Sequence, residues 1–257
     1  MDLQLSGKVA IVTGASRGIG RAIAETLAAE GMNLTLVARS RDQLEALAAS
    51  IETKTLVQAI DLRAADAPAA VVAATLAEFG RLDLLVNNAG ATKRGDFLEL
   101  SDADWQDGYA LKFFGAMRGA RAAWPHLCAS GGGIINIVGI GGRTGTAEFT
   151  IGGAVNASVL NLTKCLADRG LKEGVRVNAI NPGSIATERL QIRLREFASE
   201  RGVEVAAAEK EMANAFKIAR FGEPAEIARV VAFLASPQSS YCQGAIVDVD
   251  GGATRTL

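Results

Sequence analysis

One glycine-rich turn in the chain has the composition and position of a phosphate-binding loop. The stretch "TGASRGIG", residues 13–20, joins a short β-branched segment to an Ala-rich helical segment, with glycines at 14, 18 and 20. Glycine at these places permits a tight turn and close approach of a pyrophosphate, and the helix N-terminus then presents free N–H groups. The pattern favours nucleotide binding; a tight loop that only packs the helix on a sheet is the alternative.

Charged residues after the second and third strand-like segments indicate which nucleotide binds. "LTLVARSR" ends near Arg39, and Arg17 lies in the glycine turn, so two cations are available for a ribose 2′-phosphate, whereas a carboxylate would select a free 2′-OH. We therefore predict NADP(H) as the preferred cofactor, with NAD(H) possible. Two solvated surface arginines are the alternative. Asp61, in "QAIDLR", either accepts a hydrogen bond from an adenine amine or caps the following turn.

The elements that position these residues alternate regularly along the chain. Apolar, β-branched runs alternate with Ala- and Leu-rich segments of helical period, and the strand-like runs are "KVAIVT", "NLTLVA", "KTLVQAI", "LDLLVN", "GIINIV", "VRVNAI" and "GAIVDVD". Near-continuous apolar strands indicate a parallel sheet that is covered on both faces. We predict an α/β fold, a Rossmann-type doubly wound parallel sheet of about seven strands with helices on both faces.

Length and composition indicate one domain. The 257 residues are 49% hydrophobic, and no linker, repeat or low-complexity tract divides them, so we predict a single domain over residues 1–257. Segment 187–218 is charged, amphipathic and longer than a simple crossover. It is predicted to form a helical flap over a site at the carboxyl ends of the strands.

Charge and apolar patterning argue against several classes of partner. The net charge is −1 and the Lys and Arg residues form no blocks, which argues against nucleic acid or an anionic membrane and favours a small-molecule partner. Without a long apolar run or a leader-like N-terminus, the protein is expected to be cytoplasmic. Cys128, Cys165 and Cys242 are far apart and lack a His cluster, so we expect reduced, buried thiols and no metal site.

Four motifs, in order, resemble those of the short-chain dehydrogenase/reductase family over nearly the whole chain: "TGASRGIG", "NNAG" (87–90), "VRVNAINPGSIAT" (175–187) and "DVDGG" (248–252). The resemblance implies a nicotinamide cofactor, oxidation of an alcohol or reduction of a carbonyl, and a homo-oligomer, either a tetramer or a dimer. The turn and the resemblance together predict these cofactor-binding residues: Gly14, Ser16, Arg17, Gly18, Ile19, Gly20, Arg39, Asp61, Leu62, Asn87, Ala89, Gly90, Pro182, Gly183, Ile185 and Thr187.

The family's proton relay uses a serine, a tyrosine, a lysine and an asparagine, and the resemblance places other residues at all four positions. In the family a tyrosine hydroxyl passes a proton to the substrate oxygen, and the lysine lowers the pKa of that tyrosine and holds the nicotinamide ribose. The serine place is Gly139, the tyrosine place is Gly152 and the lysine place is Asn156. Matching "LKFFG" to Asn-Leu-x-Gly puts Lys112 at the asparagine place.

These substitutions have three consequences. The chain has only two tyrosines, Tyr109 and Tyr241, so the usual acid is absent, and Phe149 has a ring without a hydroxyl. Lys112 and Asn156 exchange places and are the candidate catalytic residues, with a snorkelling Lys112 at a helix contact as the alternative. Loss of the serine and tyrosine side chains predicts extra volume, and glycines 152 and 153 predict close approach by a ligand or backbone, or a late helix start.

Three functions follow from this pattern. The first is an NADP(H)-dependent oxidoreductase that acts on a small carbonyl, alcohol or imine by an atypical proton relay; an iminium already carries its proton. The second is an inactive NADP(H)-binding sensor or partner subunit, and the third is a lyase or isomerase with Lys112 as base. Tyr109 and His126 are interpreted as structural residues, and spacing singles out none of Thr146, Glu148 and Thr150.

Overall fold

The computed structural model describes residues 2–255, which form one parallel sheet with helices on both faces. The strands are β1 Val9–Thr13, β2 Asn33–Ala38, β3 Thr55–Ala59, β4 Leu84–Asn87, β5 Gly133–Ile137, β6 Arg176–Pro182 and β7 Ile246–Val249. Their order in the sheet is β3-β2-β1-β4-β5-β6-β7, and every pair is parallel. The predicted fold class is confirmed.

Helices connect the strands and cover the sheet. They are α1 Gly18–Ala29, α2 Arg41–Ala49, α3 Ala67–Phe79, α4 Asp102–Tyr109, α5 Ala116–Ser130, α6 Thr150–Glu173, α7 Glu188–Arg201, α8 Val205–Ala215 and α9 Pro224–Ala235. A π-helical turn, Ala110–Gly115, separates α4 from α5, and short 3₁₀ turns lie at Ile140–Gly142, Ala147–Phe149 and Pro237–Ser239.

Alternation along the strands builds two cores, one on each face of the sheet. In β1, Val12 packs on the face that α1 and α9 cover, and Ile11 packs on the face that α3 and α5 cover. Leu36 and Val37 of β2 divide between the same two faces. Because side chains of a strand alternate with a period of two, strands buried on both faces read as continuous apolar runs.

The carboxyl ends of the parallel strands meet at one edge of the sheet. Strands β2 and β3 extend the sheet on one side of β1, and β4 to β7 extend it on the other side, so β1 and β4 are neighbours. A crevice opens at such a topological switch point. The segment predicted as a flap forms α7 and α8, whose buried residues Leu190, Leu194 and Met212 share a small core of their own. The fold therefore places this helix pair next to the strand ends that carry the sequence motifs.

The cysteines depart from expectation. Cys165 is exposed on α6, while Cys128 and Cys242 are half-buried, and all three are free thiols. The prediction of buried thiols is wrong, since none of the three is fully buried. Cys165 is exposed because the buried stripe of α6 runs through Val159, Thr163 and Ala167. Within residues 2–255, each helix is too short or too polar to cross a lipid bilayer.

Candidate active site

The glycine turn between β1 and α1 has the conformation that its sequence requires. Gly14 and Gly18 have φ of +69° and +57°, which favour glycine, and a Cβ on Gly14 would lie 2.8 Å from Asn88 Nδ2. Arg17 caps α1 with an extended backbone and no side-chain capping hydrogen bond. The first N–H groups of α1 therefore lack a side-chain cap, and this turn fits the pyrophosphate of a dinucleotide.

The charged residues predicted to select the cofactor have different surroundings. Arg17 Nη1 lies 3.1 Å from Glu188 Oε2, so this arginine pairs with the first residue of α7. Asp61 Oδ1 accepts the Arg63 backbone N–H at 3.0 Å, which is the turn-capping alternative. Arg39 is exposed and has no carboxylate within 4.0 Å in the described chain, so its guanidinium is available to a ligand.

The residues that follow β4 are tied to the sheet and to Lys112. Asn87 Nδ2 donates to Asn136 Oδ1 at 2.9 Å, and Asn136 Nδ2 donates to Thr163 Oγ1 at 2.9 Å. This buried chain of amides links β4, β5 and α6. A Cβ on Gly90 would lie 2.9 Å from Lys112 Cδ, so Gly90 provides the room through which the lysine side chain passes.

Lys112 lies in the π-helical turn and reaches the end of β5. Its Nζ donates to Val138 O at 2.5 Å, one residue before Gly139. Burial, and next the charge of Arg189, lower the pKa of Lys112 from 10.5 to about 8. π-helical turns are rare and are frequent at functional sites. The ammonium thus lies at the carboxyl edge of the sheet and not at a solvent-facing helix contact.

Asn156 meets the same end of β5 from α6. Its side chain is 2% exposed, and Nδ2 donates to Gly139 O at 3.4 Å. Lys112 and Asn156 therefore hold successive carbonyl oxygens, those of Val138 and Gly139. Asn156 Oδ1 is buried and has no hydrogen-bond partner among residues 2–255. A buried acceptor without a donor costs about 1–3 kcal/mol, so this oxygen is an unsatisfied acceptor at the end of β5.

The Phe149 ring lies against Gly152, the residue predicted to correspond to the family's tyrosine. A Cβ built on Gly152 would overlap the Phe149 ring. The expectation of extra volume at Gly152 is therefore wrong, because a ring from one helical turn earlier occupies this space. Since α6 begins at Thr150, the helix does not start late, and the close approach to Gly152 is made by a side chain of the same protein.

Gly139 is not a truncated serine on an unchanged backbone. Its φ is +123°, a conformation that residues with a side chain rarely adopt, and its N–H donates to Asn181 Oδ1 at 3.3 Å. A Cβ there would also lie 3.2 Å from Asn156 Nδ2. The backbone at residue 139, the predicted serine place, is therefore adapted to glycine.

The remaining polar candidates have separate surroundings, and two of them lie beside Phe149. The hydroxyl of Tyr109 lies 3.3 Å from Ser158 Oγ, and His126 is half-buried on α5. Thr146, Phe149 and Thr150 line a cavity of about 500 Å³ at the start of α6. Within residues 2–255, no three His, Cys, Asp or Glu side chains are grouped closely enough to hold a metal ion.

Three arginines near the site are absent from the sequence-based prediction. The Cζ of Arg94 lies 4.0 Å from the centre of the Phe149 ring, and Arg189 and Arg193 lie one helical turn apart on α7. The i, i+4 spacing of Arg189 and Arg193 could have been read from the sequence of segment 187–218, and it places both on one face of a helix. The stacking of Arg94 was not available, because it depends on how two distant loops meet.

Comparison with known proteins agrees with this geometry. The family model described as enoyl-(acyl carrier protein) reductase matches residues 14–254. The chain is 38% identical over 248 residues to the short-chain reductase protein NovJ of Streptomyces niveus, covering 95% of this chain and 93% of that protein. It is 36% identical over 256 residues to the 3-oxoacyl-(acyl-carrier-protein) reductase FabG of Staphylococcus aureus, covering 95% and 97%.

A solved structure extends the likeness to three dimensions. L-sorbose reductase from Gluconobacter frateurii, crystallised with NADPH and L-sorbose, matches with a TM-score of 0.95 and 35% sequence identity, and the match covers 100% of both chains. The sheet order, the glycine turn and these likenesses agree. The chain belongs to the short-chain dehydrogenase/reductase family.

Proposed function

We propose that this protein is an NADP(H)-dependent oxidoreductase that acts on a small carbonyl, alcohol or imine, with Lys112 as the proton-transferring group. The observation that carries the proposal is the position of Lys112 Nζ, 2.5 Å from Val138 O at the end of β5. The similar proteins named above are reductases, and the L-sorbose reductase structure contains NADPH. Among residues 2–255, no carboxylate lies within 4.0 Å of Lys112 Nζ to act as a second acid or base for the lyase or isomerase alternative.

Several residues at the carboxyl edge would hold the cofactor, which when bound supplies or accepts the hydride. The N–H groups that begin α1 would bind the pyrophosphate, and Arg39 would pair with the 2′-phosphate. Asn156 Oδ1, the buried acceptor without a partner, would accept a hydrogen bond from a hydroxyl of the cofactor or substrate. Arg17 would join Arg39 only by releasing Glu188.

Lys112 has the donors and the pKa that proton transfer needs. An ammonium carries three N–H donors, and Val138 O takes one, so two remain for a substrate oxygen. With a pKa of about 8, the group is mostly protonated at neutral pH and still gives up its proton readily. A carbonyl substrate would depend on this proton, whereas an iminium, which already carries one, would not.

The test is NADPH oxidation with matched substrate panels. Lys112→Met should lower ketone reduction by about 10²–10⁴-fold, the usual contribution of an acid or base, and leave reduction of a cyclic iminium nearly unchanged. Lys93→Met is the control, because Lys93 pairs with Asp104 on the exposed surface. Undiminished ketone reduction by Lys112→Met would contradict the role of this lysine.

A second candidate function is cofactor binding without turnover, as a sensor or partner subunit. The Phe149 ring at the tyrosine place favours it, because this arrangement fills with an apolar group the position from which the family donates a proton. Tight NADPH binding with no absorbance change across ketones, alcohols and imines would support this candidate. Turnover of any of these substrates excludes it.

We also propose that the protein is a single domain, cytoplasmic and assembled as a homotetramer or dimer, with α7 and α8 as the flap. Two observations support assembly: β7 is an edge strand, and Phe233 on the neighbouring α9 is 37% exposed. Light scattering coupled to gel filtration measures the mass, and a monomer at all concentrations would contradict assembly.

A further inference from the structure

Three arginines from two separate elements lie near one another and near the site. Arg94 follows β4, and its guanidinium stacks on Phe149, 4.0 Å from the ring centre. Because Phe149 abuts Gly152, this stacking puts Arg94 beside the place of the family's tyrosine. Arg189 and Arg193 project from α7, which begins next to the glycine turn.

Local packing fixes these positions. The backbone N–H of Gly95 donates to Glu148 O at 3.2 Å, which ties the loop of Arg94 to the segment of Phe149. On α7, Leu190 and Leu194 are buried in the core shared with α8, and they hold the helix that carries Arg189 and Arg193. Neither loop nor helix needs the arginines for its own hydrogen bonds.

The cluster carries excess positive charge. Among residues 2–255, none of Arg94, Arg189 and Arg193 has a carboxylate within 4.0 Å. Burial lowers the pKa of Arg94, the charges of Arg193 and Arg189 lower it further, and Glu148 opposes them. Arg189 also acts on Lys112. The charges of Arg193 and Arg189 thus act on Arg94 with Glu148 opposing them, and such crowding of cations is relieved when an anion binds.

We propose that the substrate carries an oxyanion, a carboxylate or a phosphate, which Arg94 and Arg193 bind with help from Arg189, while its reactive group faces Lys112. A guanidinium stacked on a ring keeps its in-plane N–H groups free for two parallel hydrogen bonds to such a group. This inference rests on the proposed function, because it assigns the substrate class of the same site.

The test measures anion binding to the NADPH-saturated protein by calorimetry at constant ionic strength. Saturation with NADPH removes the start of α1 as a competing anion site. Malonate, malonamide and inorganic phosphate are the probes: malonate or phosphate should bind saturably, and malonamide, which has the shape of malonate without its charge, at least about tenfold more weakly. The anion that binds more tightly, malonate or phosphate, indicates whether the substrate carries a carboxylate or a phosphate. Equal affinities for malonate and malonamide, with no phosphate binding, overturn the inference.

Variants locate the binding. Arg94→Met and Arg193→Met should each weaken anion binding at least about tenfold, since each removes a charge-assisted pair. Arg195→Met is the matched control, an exposed arginine of α7 two residues from Arg193, and it should change nothing. An equal loss in Arg195→Met would overturn the assignment. A separate NADPH titration keeps the two proposals distinct. NADPH binding without anion binding refutes this inference and leaves the proposed function standing, whereas failure to bind NADPH refutes the proposed function.

Discussion

Replacing Lys112 by methionine should change how stability depends on pH. The pKa of Lys112 falls from 10.5 to about 8 in the folded protein, a difference of about 2.5. One pKa unit corresponds to about 1.4 kcal/mol, so keeping this ammonium charged in the folded state costs about 3.4 kcal/mol at pH 7, as an upper bound. Methionine removes that cost, but it leaves Val138 O without its donor, which destabilises the folded protein by about 1–3 kcal/mol.

The change of stability with pH is a more direct test of the Lys112 pKa than the stability at a single pH. Between pH 8 and 10.5 the unfolded chain binds more protons at this lysine than the folded protein does, so the stability of the wild type rises with pH in this window. Methionine does not titrate. The stability of Lys112→Met relative to wild type should therefore fall by about 2.5 kcal/mol from pH 7 to pH 10.

Urea unfolding of both proteins at each pH, at fixed protein concentration and ionic strength, measures this difference. Lys164→Met is the matched control, because Lys164 Nζ also donates to a backbone carbonyl, Gly244 O at 2.6 Å, but from an exposed side chain. The difference in unfolding free energy between Lys164→Met and wild type should stay constant from pH 7 to pH 10. If the Lys112→Met difference is also flat within about 0.5 kcal/mol, the ammonium is not desolvated and the reasoning about its pKa fails.

Three further predictions test the neighbouring residues. Arg39→Asp should reverse a preference for NADPH over NADH by removing the partner of the 2′-phosphate, and equal wild-type affinities in fluorescence titrations would contradict this. Gly152→Ala should destabilise the protein by about 1–3 kcal/mol, because its methyl overlaps the Phe149 ring, whereas Gly119→Ala, whose Cβ would meet atoms no nearer than 3.6 Å, should not; thermal unfolding compares them. Exchanging Lys112→Asn and Asn156→Lys should give no ketone reductase activity in an NADPH assay unless Gly152→Tyr and Gly139→Ser are added and Phe149 is shortened.

Sequence predicted the features that depend on local pattern. The glycine turn, the alternating elements and the motifs at 87–90 and 175–187 each lie within one strand-to-helix connection, so the α/β order alone brings them to one edge of the sheet. The face of α6 was also predictable: buried Val159, Thr163 and Ala167 recur at helical spacing, and this pattern leaves Cys165 outside.

Features that depend on packing between distant segments were not predictable from pattern. The Phe149 ring turns toward Gly152, and Arg94 stacks on that ring from a loop more than fifty residues earlier in the sequence. The partner of Arg17 is Glu188, across the crevice. The backbone of Gly139 adopts a positive φ that its glycine permits but does not impose. Each depends on a choice among several side-chain or backbone conformations, which tertiary contacts decide.

The four residues predicted to stand at the relay positions, Lys112, Gly139, Gly152 and Asn156, depend on one another physically. Lys112 passes over Gly90, where a Cβ would crowd it, and it holds Val138 O while Asn156 holds the next carbonyl. The Phe149 ring occupies the space that a side chain at position 152 would need. A serine at position 139 would be strained at φ +123°. Independent losses at four positions would leave cavities and unpaired groups around them. Here a ring refills one space, although the acceptor Asn156 Oδ1 stays unpaired. The ammonium of Lys112, which reaches the end of β5 from another helix, is the feature that favours a site that works differently over one that has decayed.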